Sequence, residues 1–217
     1  MVTSLTWYPD VSTFLPKGEP LARLLARLFV LWQDLLYEQA GIVDDDGFQA
    51  MDQFDRERLG RRLYFLRGNS RTLCSAKYLF DALVANPTFK AWLGEDPSLA
   101  ADFFKAKAAF DKHRQAIERV RNTVGAHAED DLGDAIEEFQ PGDRARFEIH
   151  SRDYMRPHFA REILLAAFTR GAPRDREGWI AAYKASAGPL AEATNAMISA
   201  MAAVVSEYMR RFRLFPQ

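Results

Sequence analysis

Apolar residues recur along this chain at three- and four-residue intervals almost from end to end, which is the pattern of helices that bury one face. Leu21, Leu24, Leu25, Leu28, Trp32, Leu35 and Leu36 share a face, opened by Pro20 and stopped by Gly41. A second helical stretch runs from about Phe48 to Ala85, marked by Met51, Leu59, Leu63, Leu66, Leu73, Leu79, Phe80 and Leu83; Gly68-Asn69 is a place to kink or split it, and Asn86-Pro87 ends it. A third starts at Asp96-Pro97, a capping residue followed by a proline at the first helical position, and continues to about residue 128. A short acidic helix is expected after Gly133, then a turn at Pro141-Gly142-Asp143. Arg144 to His150 alternates enough for one short strand. Pro157 is expected to open a further helix, closed by Gly171, and Trp179 to Phe215 forms the last, interrupted at Gly188-Pro189. Beyond that break Met197, Ile198, Met201, Val204, Val205, Tyr208 and Phe212 make one stripe. The fold class is therefore all-α: an up-and-down helical bundle with a decorated C-terminal half, expected as a single domain over residues 1–217.

Composition narrows the class of protein. A chain of 217 residues with 48% hydrophobic and 27% charged positions can bury a core and is neither disordered nor low in complexity. Its one cysteine, Cys74, removes disulfide scaffolds and cysteine zinc sites, and reads as a buried small hydrophobe. Met1 to Pro20 has no basic segment leading into an apolar run, and no stretch is apolar enough to span a bilayer, so the chain is expected to be soluble and cytoplasmic. The net charge of −1 means that bulk positive charge is not what draws a partner, although arginine outnumbers lysine 22 to 7.

The third helix carries polar groups where apolar ones belong. Phe103, Phe110, Ile117 and Val124 repeat by seven, and their companions three residues on are Ala106, His113, Val120 and His127. Arg121 and His127 flank Val124, about 60° to either side of it at 100° per residue, so both can face one partner surface. Six residues also separate them by about 9 Å along the axis, which makes completion of the site from a second, twofold-related copy the natural arrangement. The following Glu129 to Glu138 holds six acids and no base, and nearby carboxylates favour protonated His127.

The run Arg121-Asn122-Thr123-Val124-Gly125-Ala126-His127 resembles the Arg-Asn-x4-His signature of HEPN domains, all-helical proteins of prokaryotic toxin and abortive-infection systems. The segments Lys105 to Glu129 and Leu63 to Val84 look similar to that family as well. The resemblance implies a homodimer with a metal-independent ribonuclease site in the cleft between subunits, lined by Arg121, Asn122 and His127, with RNA as substrate, no cofactor, and an antitoxin or other protein as a possible partner. Arg144 with His150 and Arg152 with His158 also match an arginine-to-histidine spacing, but Pro157 disfavours a continuous helix through the second pair.

Two weaker features remain. Six arginines between Arg56 and Arg71, with Tyr64 and Phe65 interleaved, offer Arg61, Arg62, Arg67 and Arg71 as RNA-backbone contacts, against the commoner reading of a solvated helix face. His150, Asp153, His158 and Glu148 match no recognised ligand spacing, so no metal site is expected. Glycine-rich phosphate loops, nucleophile elbows and paired-carboxylate helix motifs are missing from the sequence. The functional expectation is a ribonuclease, with a catalytically silent helical module that binds a protein or nucleotide in the same cleft as the alternative.

Overall fold

A computed structural model describes residues 11–43, 56–122, 147–150, 154–157 and 176–212. Among these residues the elements are α1 (Val11–Phe14), α2 (Pro20–Val43), α3 (Arg56–Ala85), α4 (Pro87–Glu95), α5 (Pro97–Val120), the strands β1 (Phe147–His150) and β2 (Tyr154–Pro157), and α6 (Arg176–Arg211). The architecture is all-α helical, with one antiparallel hairpin pairing Phe147 with Pro157 and His150 with Tyr154. The chain divides into two compact units, one drawing on Met1–Leu35, Leu73–Lys112 and Ala193–Gln217, the other on Leu36–Thr72 and His113–Glu192.

The first unit is held by aromatic rings. Phe80 of α3 stacks on Phe103 of α5 with centroids 4.5 Å apart and planes within 13°. Phe103 also meets Phe89 of α4 at 5.1 Å, and Phe89 meets Trp92 at 6.0 Å. Tyr208 of α6 extends the cluster to Trp92 and to Phe14 of α1, whose backbone carbonyl accepts the Tyr208 hydroxyl. Side-chain caps fix where α4 and α5 begin: Asn86 Oδ1 accepts from Phe89 N at 3.1 Å, and Asp96 Oδ1 accepts from Ser98 N at 2.9 Å and Leu99 N at 3.1 Å. Between α1 and α2 the backbone turns at Gly18, whose φ of +84° suits a residue without Cβ.

Charged groups close the rim of this unit. Glu207, buried on α6, accepts from Arg210 Nε and Nη2, both at 2.6 Å, and from Arg211 Nε. Arg211 also reaches Glu95 Oε2 at 2.7 Å and lies 5.0 Å from the Trp92 ring centroid. The Arg210 fork holds the Glu207 carboxyl below its ordinary range; burial opposes this and Arg211 adds to it. Asp81 takes Lys107 Nζ at 2.6 Å and Lys77 Nζ at 2.5 Å, and those ammonium groups, Lys107 first, lower its carboxyl in the same sense.

The second unit contains an antiparallel pairing of the end of α2 with the start of α3. Thr72 Oγ1 donates to Glu38 Oε1 at 2.8 Å, and the chain then approaches so closely that a Cβ on Gly41 would lie 2.3 Å from the Phe65 ring. Tyr183 of α6 packs into the same unit and directs its hydroxyl at the Ile42 carbonyl, 3.5 Å away.

Several sequence expectations are refined. The first long helix passes Gly41 and ends at Val43, because glycine in the last turn is tolerated where Phe65 occupies the space of its absent side chain. α3 is continuous through Gly68-Asn69, with Leu66, Asn69, Ser70 and Leu73 all buried around that point. α6 likewise runs unbroken through Pro189. A proline there removes one backbone hydrogen bond and crowds the preceding turn; Gly188 offers no Cβ to clash, and Ala187, Leu190 and Ala193 are buried on either side of it. α4 was not expected as a separate helix. The allowed strand is present as Phe147–His150, but it has a partner, and Pro157 is the last residue of that partner. The helix expected after Pro157 and the acidic helix after Gly133 lie outside the described residues.

Phe103 has no exposed surface and contacts rings on both sides, so Phe103→Ala should cost about 3–5 kcal/mol, read as a lowered urea midpoint. A cost below about 1 kcal/mol would mean that the stack contributes little beyond its volume. Acid should act through Glu207 and Asp81. Their folded values are depressed, so their contribution is complete above the ordinary carboxylate range and is lost as pH falls through the folded values, starting below about pH 4. Midpoints measured from pH 7 to 2 should fall over that window, and the fall should be shallower in Glu207→Gln.

Candidate functional site

The polar end of α5 belongs to the second unit, and its path explains which groups reach solvent. Phe103, Ala106, Phe110, Ile117 and Val120 are buried, as the seven-residue repeat requires. His113, the polar member of that seam, keeps 14% of its side chain exposed, and its Nε2 lies 2.8 Å from Glu192 Oε2 on α6, off the direction of the ring N–H. This histidine is thus accounted for as a partner of a surface carboxylate. Past Val120 the backbone widens into a π turn at Arg121 and Asn122. Such single-turn bulges shift side chains around the helix axis and are frequent at functional positions. Arg121 is half-buried and Asn122 exposed. His127, six residues beyond Arg121, lies outside the described residues, as do Val124 and the acidic run that follows.

The arginines of α3 do not form one outward face. Arg71 is exposed, Arg67 is half-buried and gives its carbonyl to Ser70 Oγ at 2.8 Å, and Arg62 is buried, with 6% of its surface exposed. The Arg61 side chain is outside the described residues. Arg62 therefore corrects the expectation of a backbone-binding surface residue: its guanidinium is directed into the protein, where a polymer backbone does not reach. The cause is its register. Arg62, Leu66, Asn69, Leu73, Ala76, Phe80 and Leu83 follow spacings of three and four, and every one is buried. The same seam logic that singled out His113 would have found Arg62 and Asn69.

Arg62 and Asn69 are buried polar residues on a seam shared with Leu66. The Nε and Nη2 of Arg62 are buried without a hydrogen-bond partner. Burial pushes the Tyr183 phenol up to about 12, with the Arg62 charge pulling the other way. Further along the pair of helices, Glu38 takes the Thr72 hydroxyl, and a Cβ on Gly68 would lie 2.9 Å from the same carboxylate oxygen. Among the described residues no three His, Cys, Asp or Glu side chains converge on a point where an ion could sit, and no helix is long and apolar enough to cross a membrane. Glu148 and His150 fall on β1, two residues apart, while Asp153 and His158 lie outside the described residues.

Compared with protein-family models, with curated proteins and with solved structures, the chain matches none.

The closeness of α2 to α3 is testable at Gly41. Gly41→Ala must displace the Phe65 ring and should cost about 1–3 kcal/mol in a urea titration, whereas Gly94→Ala on α4, where an added Cβ meets nothing within 4 Å, should be neutral or slightly stabilising. Equal midpoints for the two variants would rule out the tight contact.

Proposed function

We propose that this chain is a metal-independent endoribonuclease of the HEPN type, acting in the cytoplasm as a homodimer, with Arg121, Asn122 and His127 at the subunit cleft. The observation that carries the reading is the π turn at Arg121-Asn122: a motif arginine and asparagine stand on a widened helix end, one half-buried and one exposed, where they can meet a polymer. RNA brings its own nucleophile, the 2′-hydroxyl. A base must remove that proton, an acid must protonate the departing 5′-oxygen, and a cation must stabilise the charge that builds on phosphorus. His127 is assigned the proton transfer, Arg121 the phosphate through paired N–H donors, and Asn122 the orientation of either group. A second copy supplies a second histidine, so that one ring can act as base and the other as acid. Toxin or phage-defence activity, restrained by an antitoxin, fits such a nuclease.

Arg121→Ala and His127→Ala should each lower cleavage of single-stranded RNA by purified protein at least a hundredfold, in buffer with chelator, while sedimentation still shows the dimer. Undiminished cleavage in either variant, or no cleavage by the wild type, overturns the assignment. Arrest of growth on expression, relieved by His127→Ala, would extend it to a toxin.

A further inference from the structure

Two tyrosines of α3 stand in solvent, although rings of that size are mostly covered: Tyr64 is 68% exposed and Tyr78 66%. Midway between them, seven residues from each, is the exposed Arg71, and the exposed Ser75 follows one turn later. Residues seven apart on a helix lie within about 20° of one line and about 10.5 Å apart along the axis, so ring, guanidinium and ring make one outward row about 21 Å long. Half-buried Arg67 flanks the row one turn before Arg71. The row belongs to a single unbroken helix, and its geometry is that of α3 alone.

The row is also one-sided in charge. From Tyr64 to Tyr78 the chain has Arg67, Arg71 and Lys77 and no acid. The next acid, Asp81, is taken up by Lys77 at 2.5 Å and Lys107 at 2.6 Å. Lys77 Nζ also stands 5.8 Å from the Tyr78 ring centroid, and Tyr64 meets the half-buried Phe65 nearly at a right angle, with centroids 5.6 Å apart.

We propose that this row is a binding track for single-stranded RNA, with bases stacked on Tyr64 and Tyr78 and a backbone phosphate held by Arg71. The choice of RNA rests on the function proposed above; the placement of rings and charge does not. Aromatic faces for the bases and cations for the backbone are the two contacts that hold a single strand without reading its sequence. An apolar partner helix would need apolar anchors one turn apart, whereas here a cation and a hydroxyl fill the space between the rings. The track binds the strand and takes no part in breaking a bond.

The experiment titrates the full chain into a fluorescent single-stranded RNA of about 12 nucleotides. Its 2′-oxygens are methylated, so it cannot be cut through them. Anisotropy is read at several salt concentrations. Tyr64→Ala and Tyr78→Ala should each weaken binding at least about fivefold, while Tyr64→Phe and Tyr78→Phe, which keep the ring, should bind as the wild type does. Tyr64→Leu and Tyr78→Leu keep apolar bulk without the stacking plane and should lose as much as alanine, which decides the matter where an alanine variant does not fold. Arg71→Gln should flatten the slope of log affinity against log salt by about 0.7. A wild type that does not bind the strand overturns the proposal, as does a slope unchanged in Arg71→Gln, or leucine variants that bind as the wild type does. Equal binding of polyglutamate also overturns it, since an acidic protein would then fit the row as well as RNA. Cleavage of unmodified RNA is followed alongside. Binding that responds to these variants with no cleavage keeps the track and removes the nuclease; cleavage with a KM unmoved by the tyrosine variants keeps the nuclease and removes the track.

Discussion

The uninterrupted burial of one seam of α3 is the constraint from which the rest of the structure follows. Arg62, Leu66, Asn69, Leu73, Ala76, Phe80 and Leu83 lie inside, and each unit is built on the part of that seam that falls within it. In the first unit the seam ends in rings, and Phe80 finds a flat partner in Phe103, which in turn fixes how α4 and α5 leave their caps. In the second unit it carries an arginine and an asparagine, and on the adjoining α2 a glutamate takes the Thr72 hydroxyl. One helix thus places only apolar residues on the seam in one unit and adds two polar ones in the other, through which residues stand three and four apart.

The helices were legible because their apolar spacing is regular and their ends carry capping chemistry. Asp96 shows this most simply, since an aspartate followed by proline predicts a start and its carboxylate takes the two backbone N–H groups that the start leaves open. The breaks were less legible. Glycine and proline inside α2, α3 and α6 read as interruptions because their intrinsic cost is real, yet burial on both sides of Gly68-Asn69 and of Pro189 outweighs a penalty of about 1 to 3 kcal/mol. The hairpin was half legible: β1 alternates, but β2 contains only four residues and ends in a proline, so nothing local announces a partner strand. The split into two units was not legible at all, since α2, α3, α5 and α6 each contribute to both and composition does not change along them.

The polar positions of the buried seams separate into two kinds. His113 occupies a seam position of α5 at the edge of the interior, with its Nε2 2.8 Å from Oε2 of the half-exposed Glu192. Such a pair adjusts packing at small cost and contributes little net stability. Arg62 has no comparable escape. Its side chain is long enough to place the guanidinium at a surface, as arginines on helix faces commonly do, yet it is held inside with one hydrogen-bonding edge unsatisfied.

The end of α5 follows a different logic. Arg121 and Asn122 stand where regular helix geometry gives way, and a π turn releases backbone groups and rotates the side chains relative to the seam behind them. The buried repeat runs up to that point: Ile117 and Val120 are buried, and the π turn begins with the next residue. A buried seam thus leads into a turn that carries one half-buried and one exposed polar side chain. Catalysis of phosphoryl transfer in RNA depends more on positioning cations and proton carriers around the phosphate than on any single strong contact. Under the proposed function, Arg121 and Asn122 past the end of α5 supply a cation and an amide for such positioning.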